Sequence, residues 1–232
     1  MADKAVCIVS GGLDSVCYAA NLAKDCDIYT ITFAYGQRAR REIDSARYFA
    51  RLLKSKDHRV VDISFMKSLY GSSNALTDRK QAISAGFAQN LVVPIRNAIF
   101  ITIASAWAMS INARVVAYGA HTGDTLHYAD CRPEFLRSIN EALNIADSDS
   151  VAAGKRQEIV IKSPAIDGMS KSDLLKLGQQ ALGDKIFRTW SCYSNGSRSK
   201  GRYIHCGRCE SCINRKNAFT LAKIDDKTRY AA

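Results

Sequence analysis

Ala5-Val6-Cys7-Ile8-Val9-Ser10-Gly11-Gly12-Leu13-Asp14-Ser15 is the stretch on which the reading of this chain turns. Its first five residues are apolar and rich in β-branched side chains, as a buried strand requires, and the run breaks at Ser10-Gly11-Gly12. Over residues 14–24, Val16, Ala19, Ala20 and Ala23 recur at helical spacing, so the unit reads strand, turn, helix. A helix start offers unpaired backbone N–H groups and the positive end of a dipole, which together suit an anion. Gly11 and Gly12 leave no Cβ between backbone and a phosphate oxygen, Ser10 and Ser15 add hydroxyl donors, and Leu13 leads into the helix. The loop does not follow the G-x-x-x-x-G-K-[ST] pattern and is not a Walker A loop. A carboxylate beside a polyphosphate is repelled unless a cation lies between them, so Asp14 implies Mg²⁺; the plainer reading is that it caps the helix.

Further apolar runs of strand length lie at residues 28–33, 60–63, 115–118 and 159–161, with helical patterns between them. This alternation predicts an α/β fold with a doubly wound, mostly parallel sheet, ligands binding beyond the carboxyl ends of the strands. Residues 98–109 are apolar almost all round and predict a buried helix, short of the ~20 residues that span a bilayer. Ser170-Lys171-Ser172-Asp173 reads as a capping box, and the last helix is expected to begin near Asn214. With 232 residues, 47% of them hydrophobic, and neither repeats nor a low-complexity linker, the chain is read as a main nucleotide-binding domain over residues 1–185 with a metal-bound appendage and final helix over 186–232.

A formal net charge of +11 suits an anionic partner without choosing among nucleotide, nucleic acid and small acid. The acid at Asp3 stands where a signal peptide carries basic charge, so a cytoplasmic protein is expected. In that reducing compartment the clustered cysteines among the eight point to metal rather than disulfides, while Cys7, Cys17 and Cys26, in or beside apolar runs, read as small buried hydrophobes. Cys192, Cys206, Cys209 and Cys212 form C-x13-C-x2-C-x2-C, enough thiolates for a tetrahedral Zn²⁺; the spacing alone also admits an iron-sulfur centre. The segment between Cys192 and Cys206 is too polar to make a core by itself, and a metal would order it.

Residues 10–15 resemble the PP-loop of the N-type ATP pyrophosphatases, which cleave ATP between its α and β phosphates and adenylate an oxygen. Three more segments, Phe33-Ala34-Tyr35-Gly36-Gln37-Arg38, Val93-Pro94-Ile95-Arg96-Asn97 and Asp130-Cys131-Arg132-Pro133-Glu134-Phe135, are each expected just past a strand or at a helix start. Together with Ser191-Cys192-Tyr193 and the cysteine run, they make the chain closely similar to the 7-cyano-7-deazaguanine synthases, the QueC family. The resemblance implies conversion of 7-carboxy-7-deazaguanine and ammonia to the nitrile with ATP, Mg²⁺ and Zn²⁺, on the path to the 7-deazaguanine nucleosides of tRNA. It implies a homodimer with no stable nucleic-acid partner and no membrane. Asp14, Arg38, Arg132 and Lys171 are then the catalytic candidates; Phe33 joins residues 10–15 around ATP; and Tyr35, Gln37, Arg96, Asn97, Asp130, Arg132, Glu134 and Phe135 face the substrate. A carboxylate, Asp130 or Glu134, suits the two adjacent N–H donors of a guanine edge. Two departures stand out: Ile95 replaces the glycine of the family's Val-Pro-Gly-Arg-Asn, and residues 120–129 differ from its pattern apart from Asp124 and Tyr128. The competing readings are a PP-loop enzyme acting directly on tRNA, a thiolase or lysidine-type ligase that grips RNA with the basic charge, and a non-catalytic zinc-ribbon binding module.

Overall fold

Strand β1 (Asp3–Ile8) lies at the centre of a five-stranded sheet with β2 (Cys26–Ala34), β3 (His58–Asp62), β4 (Val115–Ala117) and β5 (Val160–Lys162), in the order β3-β2-β1-β4-β5 and parallel throughout. The computed structural model describes residues 2–71, 74–199 and 202–231; Met1, Ser72, Ser73, Lys200, Gly201 and Ala232, which fall inside the two expected domains, lie outside the described residues. The doubly wound α/β sheet expected from the alternating pattern is present, each strand lying within about two residues of its sequence-based position.

Period-2 alternation in β1 divides the core. Ala5, Cys7 and Val9 face a cluster with α1 (Leu13–Leu22), α2 (Arg41–Leu52), α7 (Lys171–Leu182) and α8 (Glu210–Ala222), while Val6 and Ile8 face α4 (Arg96–Ser110) and α5 (Pro133–Ala146). Both sheet faces are thus covered, which is why β1 reads as an unbroken apolar run. Short helices α3 (Met66–Tyr70) and α6 (Ser148–Ala152) sit in connections, and β6 (Ser197–Ser199) pairs antiparallel with β7 (Arg202–Ile204) between the cysteines.

Two details differ from expectation. The 22 residues Gln89–Ser110 are long and apolar enough to span a bilayer by composition, but Pro94 separates a short 3-10 turn from α4, which packs Ile101, Ala104 and Ala108 into the core. The last helix starts at Glu210 rather than near Asn214: Cys209 takes an extended conformation at its N-cap and Cys212 lies within its first turn. Capping by a ligand cysteine has no signature in residue type, so the sequence places this boundary too late.

The strand order reverses between β1 and β4, and a crevice opens beyond their carboxyl ends. β1 leads into Ser10-Gly11-Gly12 and β4 into Tyr118-Gly119-Ala120.

Candidate functional site

The loop after β1 is held from both sides. Gly11 has φ +88°, and a Cβ there would lie 2.1 Å from the Glu42 carbonyl oxygen and 2.7 Å from the Ala46 nitrogen. Glycine is therefore required by the close approach of α2, behind the loop. Ser45 Oγ and Trp190 N both donate to the Gly11 carbonyl, at 2.8 and 2.9 Å. On the open side, Gly12 N donates to Ser10 Oγ at 3.2 Å and the Ser10 and Ser15 hydroxyls meet at 3.0 Å, so the two serines brace the turn. Gly119 packs against the first turn of α1, where a Cβ would lie 2.5 Å from Ser15 N.

Two joined cavities of about 240 and 520 Å³ open in front of this loop. Ser10, Gly12, Asp14, Glu42 and Arg96 line both. The smaller is walled by aromatic rings, among them Phe33, Tyr35, Phe100 and Tyr118, with Phe33 stacked on Phe100 at 4.3 Å between centroids. The larger mixes polar and apolar lining, with His121, Ser170, Lys171, Ser191 and Glu210 beside Leu13 and Trp190.

Charge is arranged unevenly along the cleft. Lys171 Nζ donates to Asp14 Oδ2 at 2.6 Å, with Lys171 placed by the capping box of α7, in which Ser170 Oγ accepts from Asp173 N. Burial pushes the Asp14 carboxyl up, but Lys171 and His121 outweigh it and hold the group below its ordinary value. Asp14 Oδ1 is buried without a partner among the described residues, as is Arg96 Nε. Arg96 Nη1 donates to Tyr35 Oη at 3.3 Å. Desolvation pushes the Glu42 carboxyl up to about 8 against the pull of Arg96. Asp124 Oδ2 accepts from His121 N at 2.9 Å, and Glu210 accepts from Tyr193 Oη at 2.8 Å and from Asn214.

Most of the residues expected at the site meet here. Ser10, Gly12, Leu13, Asp14, Ser15, Phe33, Tyr35, Gln37, Arg96, Asn97 and Lys171 all line the cleft, Gln37 with its amide locked between Tyr35 N and the Phe33 carbonyl. Others are not brought in. Arg38 donates to the carbonyls of Ala75, Asp78 and Gln81 at 3.1, 3.4 and 2.7 Å, pinning the loop that follows α3. Asp130 has both carboxylate oxygens on Asn97, accepting from its backbone N and from Nδ2 at 3.1 Å each, which steadies the start of α4. Arg132 is exposed and donates to the Thr125 carbonyl at 3.1 Å; Glu134 is exposed, and Phe135 packs on the α4 side of the core. Among the described residues, the carboxylates that do line the cleft besides Asp14 are Glu42, Asp124 and Glu210. Glu42 lies in a plain amphipathic helix, and Glu210 beside the cysteines; neither position carries a local signal.

The four cysteine Sγ atoms lie within 4.8 Å of one another, with Cys206 and Cys212 at 3.8 Å. A tetrahedral zinc with bonds of ~2.3 Å separates its sulfurs by about 3.8 Å, so the donor set fits that ion. The cluster is tied to the loop through a short path: Trp190, two residues before Cys192, donates to Gly11, and its indole N–H donates to the Cys192 carbonyl at 2.9 Å. Arg215, fully buried on α8, donates to Thr189 and Ser191 at 2.7 and 3.1 Å and fixes the same strap.

A family model described as "Queuosine biosynthesis protein QueC" matches residues 4–223. The 7-cyano-7-deazaguanine synthase of Caldicellulosiruptor saccharolyticus is 34% identical over 233 residues, covering 98% of this chain and 95% of that protein. The 7-cyano-7-deazaguanine synthase of Pseudomonas savastanoi pv. phaseolicola is 37% identical over 231 residues, covering 98% and 96%. Among solved structures, an NMN synthetase from Francisella tularensis aligns with a TM-score of 0.45 at 13% identity, over 96% of this chain and 78% of that one.

Proposed function

The chain belongs to the QueC family of queuosine biosynthesis proteins, and from that membership we propose that it is a carbon–nitrogen ligase converting 7-carboxy-7-deazaguanine and ammonia to 7-cyano-7-deazaguanine at the cost of ATP. The observation that carries the reading is the meeting, in one cleft, of an amide-rich loop, the Asp14–Lys171 pair and an aromatic-walled slot.

A carboxylate resists ammonia because its carbon is electron-rich and its oxygens leave poorly. Adenylation replaces the poor leaving group with AMP, ammonia then yields the amide, and a second adenylation on the amide oxygen permits its loss as the nitrile. One adenylating centre thus serves both stages. On this reading the helix start at Leu13 and the cations Lys171 and Arg96 would oppose phosphate charge, while Phe33, Tyr35 and their neighbours would offer flat apolar walls to a heterocycle. Asp14, with Oδ1 unpartnered, is the residue that would hold Mg²⁺, which when bound would neutralise charge on pyrophosphate. Cys192, Cys206, Cys209 and Cys212 would hold Zn²⁺ in a closed structural site beside the cleft.

The substrate on this reading is the free base, the enzyme working as a cytoplasmic homodimer, and the net charge of +11 serves small anions rather than tRNA. Purified, ribonuclease-treated protein given ATP, Mg²⁺, ammonium and 7-carboxy-7-deazaguanine is expected to yield the nitrile with AMP and pyrophosphate, read by mass spectrometry. A strict requirement for added tRNA would instead favour a tRNA-modifying enzyme.

A further inference from the structure

On the ligase reading above, we propose that Glu42 is the catalytic base that removes protons from the reacting nitrogen. The need for such a group follows from the balance of the reaction. In the first step a carboxylate oxygen attacks the α-phosphorus of ATP, a P–O bond forms as another breaks to release pyrophosphate, and no proton moves. Ammonia then forms a C–N bond, AMP leaves with the C–O bonding pair, and the nitrogen sheds one proton. The amide loses a second proton as its oxygen takes AMP from another ATP. The last N–H proton departs as the C–O bond breaks and the nitrile forms. All three protons of ammonia therefore leave after the first adenylation, and a base at the reacting carbon serves every later step.

Glu42 lines both cavities, where they join at Ser10 and Gly12. Its own backbone is fixed there: the Glu42 carbonyl is the atom against which Gly11 packs. The other basic groups of the cleft are engaged. Asp14 is paired with Lys171, which is thereby kept protonated. Asp124 accepts from His121 N, and Glu210 from Tyr193 and Asn214. His121 accepts from Gly123 N at Nδ1, which leaves its proton on Nε2, 3.6 Å from Asp124. The Glu42 carboxylate has no hydrogen-bond partner among the described residues, and desolvation raises it to about 8, a basicity suited to accepting protons near neutral pH.

Glu42→Gln keeps the shape of the side chain and removes its basicity, and zinc content with the thermal midpoint reports whether the fold survives. Three reactions separate the roles: exchange of labelled pyrophosphate into ATP driven by the acid, amide formation from the acid and ammonia, and nitrile formation from supplied amide with ATP. Exchange is expected to stay close to wild type, while the two nitrogen steps fall by about 10²- to 10⁴-fold. Glu42→Asp, which keeps a carboxylate, is expected to recover part of both. Wild-type rates of nitrile formation in Glu42→Gln overturn the assignment. So does a parallel loss of exchange with a raised KM for the acid, which makes Glu42 a contact that grips the base. Absence of acid-driven exchange in the wild-type protein sinks the ligase reading itself, whatever Glu42 does.

Discussion

Asp14 and Lys171 are 25% and 20% exposed, so their 2.6 Å contact is shielded and each carries the penalty of a stranded charge if the other is removed. Lys171→Met is expected to destabilise the protein by about 2–3 kcal/mol in urea unfolding, and the double variant with Asp14→Asn to recover part of that loss. The pH dependence follows from the directions of the two shifts. Asp14 is held below its ordinary value, burial being outweighed by Lys171; Lys171 is held above its own, burial being outweighed by Asp14. The pair therefore contributes fully between about pH 4 and pH 10, weakens in acid as the folded Asp14 takes up its proton, and weakens in alkali as the folded Lys171 loses one. Stability curves of wild type and the double variant should converge at both extremes; a constant gap across the range would exclude the pair as its source. Ile95 stands next to Arg96 with φ +48° and ψ 22°, a left-handed conformation that a β-branched residue adopts under strain, and its side chain is 66% exposed. Ile95→Gly relieves a strain of ~1–2 kcal/mol and adds ~0.5–1 kcal/mol of chain entropy to the unfolded state, so a net gain of about 0.5–1 kcal/mol is expected in denaturant unfolding.

At the scale of elements, α7 is positioned by its own first turn. The capping box satisfies backbone N–H groups at Ser170 and Asp173 and sets Lys171 opposite Asp14. Ser170→Ala is expected to cost about 1 kcal/mol and to lower activity beyond what the lost stability explains, because the lysine shifts with the helix start. The strap, residues 189–199 and 202–209, depends on the cysteines in another way, since Ser197, Arg198 and Tyr203 are exposed and its turns converge on four thiols. Binding of a structural zinc contributes ~10–16 kcal/mol in small zinc domains, enough to order such a segment. A zinc chelator is expected to make residues 193–205 sensitive to protease and to loosen the loop after β1 through Trp190, read by limited proteolysis and by a weaker ATP affinity. Retention of both after the metal is gone would mean that the strap holds without it.

Over the whole molecule, α8 closes the far side of the core that β1 opens: Ala218, Phe219 and Ala222 join Ala5 and Val9 in one cluster, and Phe219 stacks on Phe187 at 5.5 Å. Phe219→Ala is expected to cost about 3–5 kcal/mol and to lower a single unfolding transition of the entire chain; an unchanged main transition with only a tail lost would separate α8 from the core. The alternation of strand and helix, the glycine turn between β1 and α1 and the thiol set were all readable in residue order, because period, turn chemistry and ligand spacing are properties of neighbouring residues. The cleft was readable only in part. Along a helix each residue turns about 100° from the last, so packing decides whether a side chain meets the cavity or the scaffold. Arg38, Asp130 and Glu134 look like site residues in the sequence, yet Arg38 holds a loop, Asp130 holds a helix start and Glu134 faces outward. Glu42 and Glu210, unremarked by any local pattern, are carried to the cleft by the docking of α2 against Gly11 and of α8 behind the cysteines. The sequence by itself determined the sheet and the glycine turn after its first strand; the tertiary structure alone decided which charges face the cleft, because that depends on contacts between residues far apart in the chain.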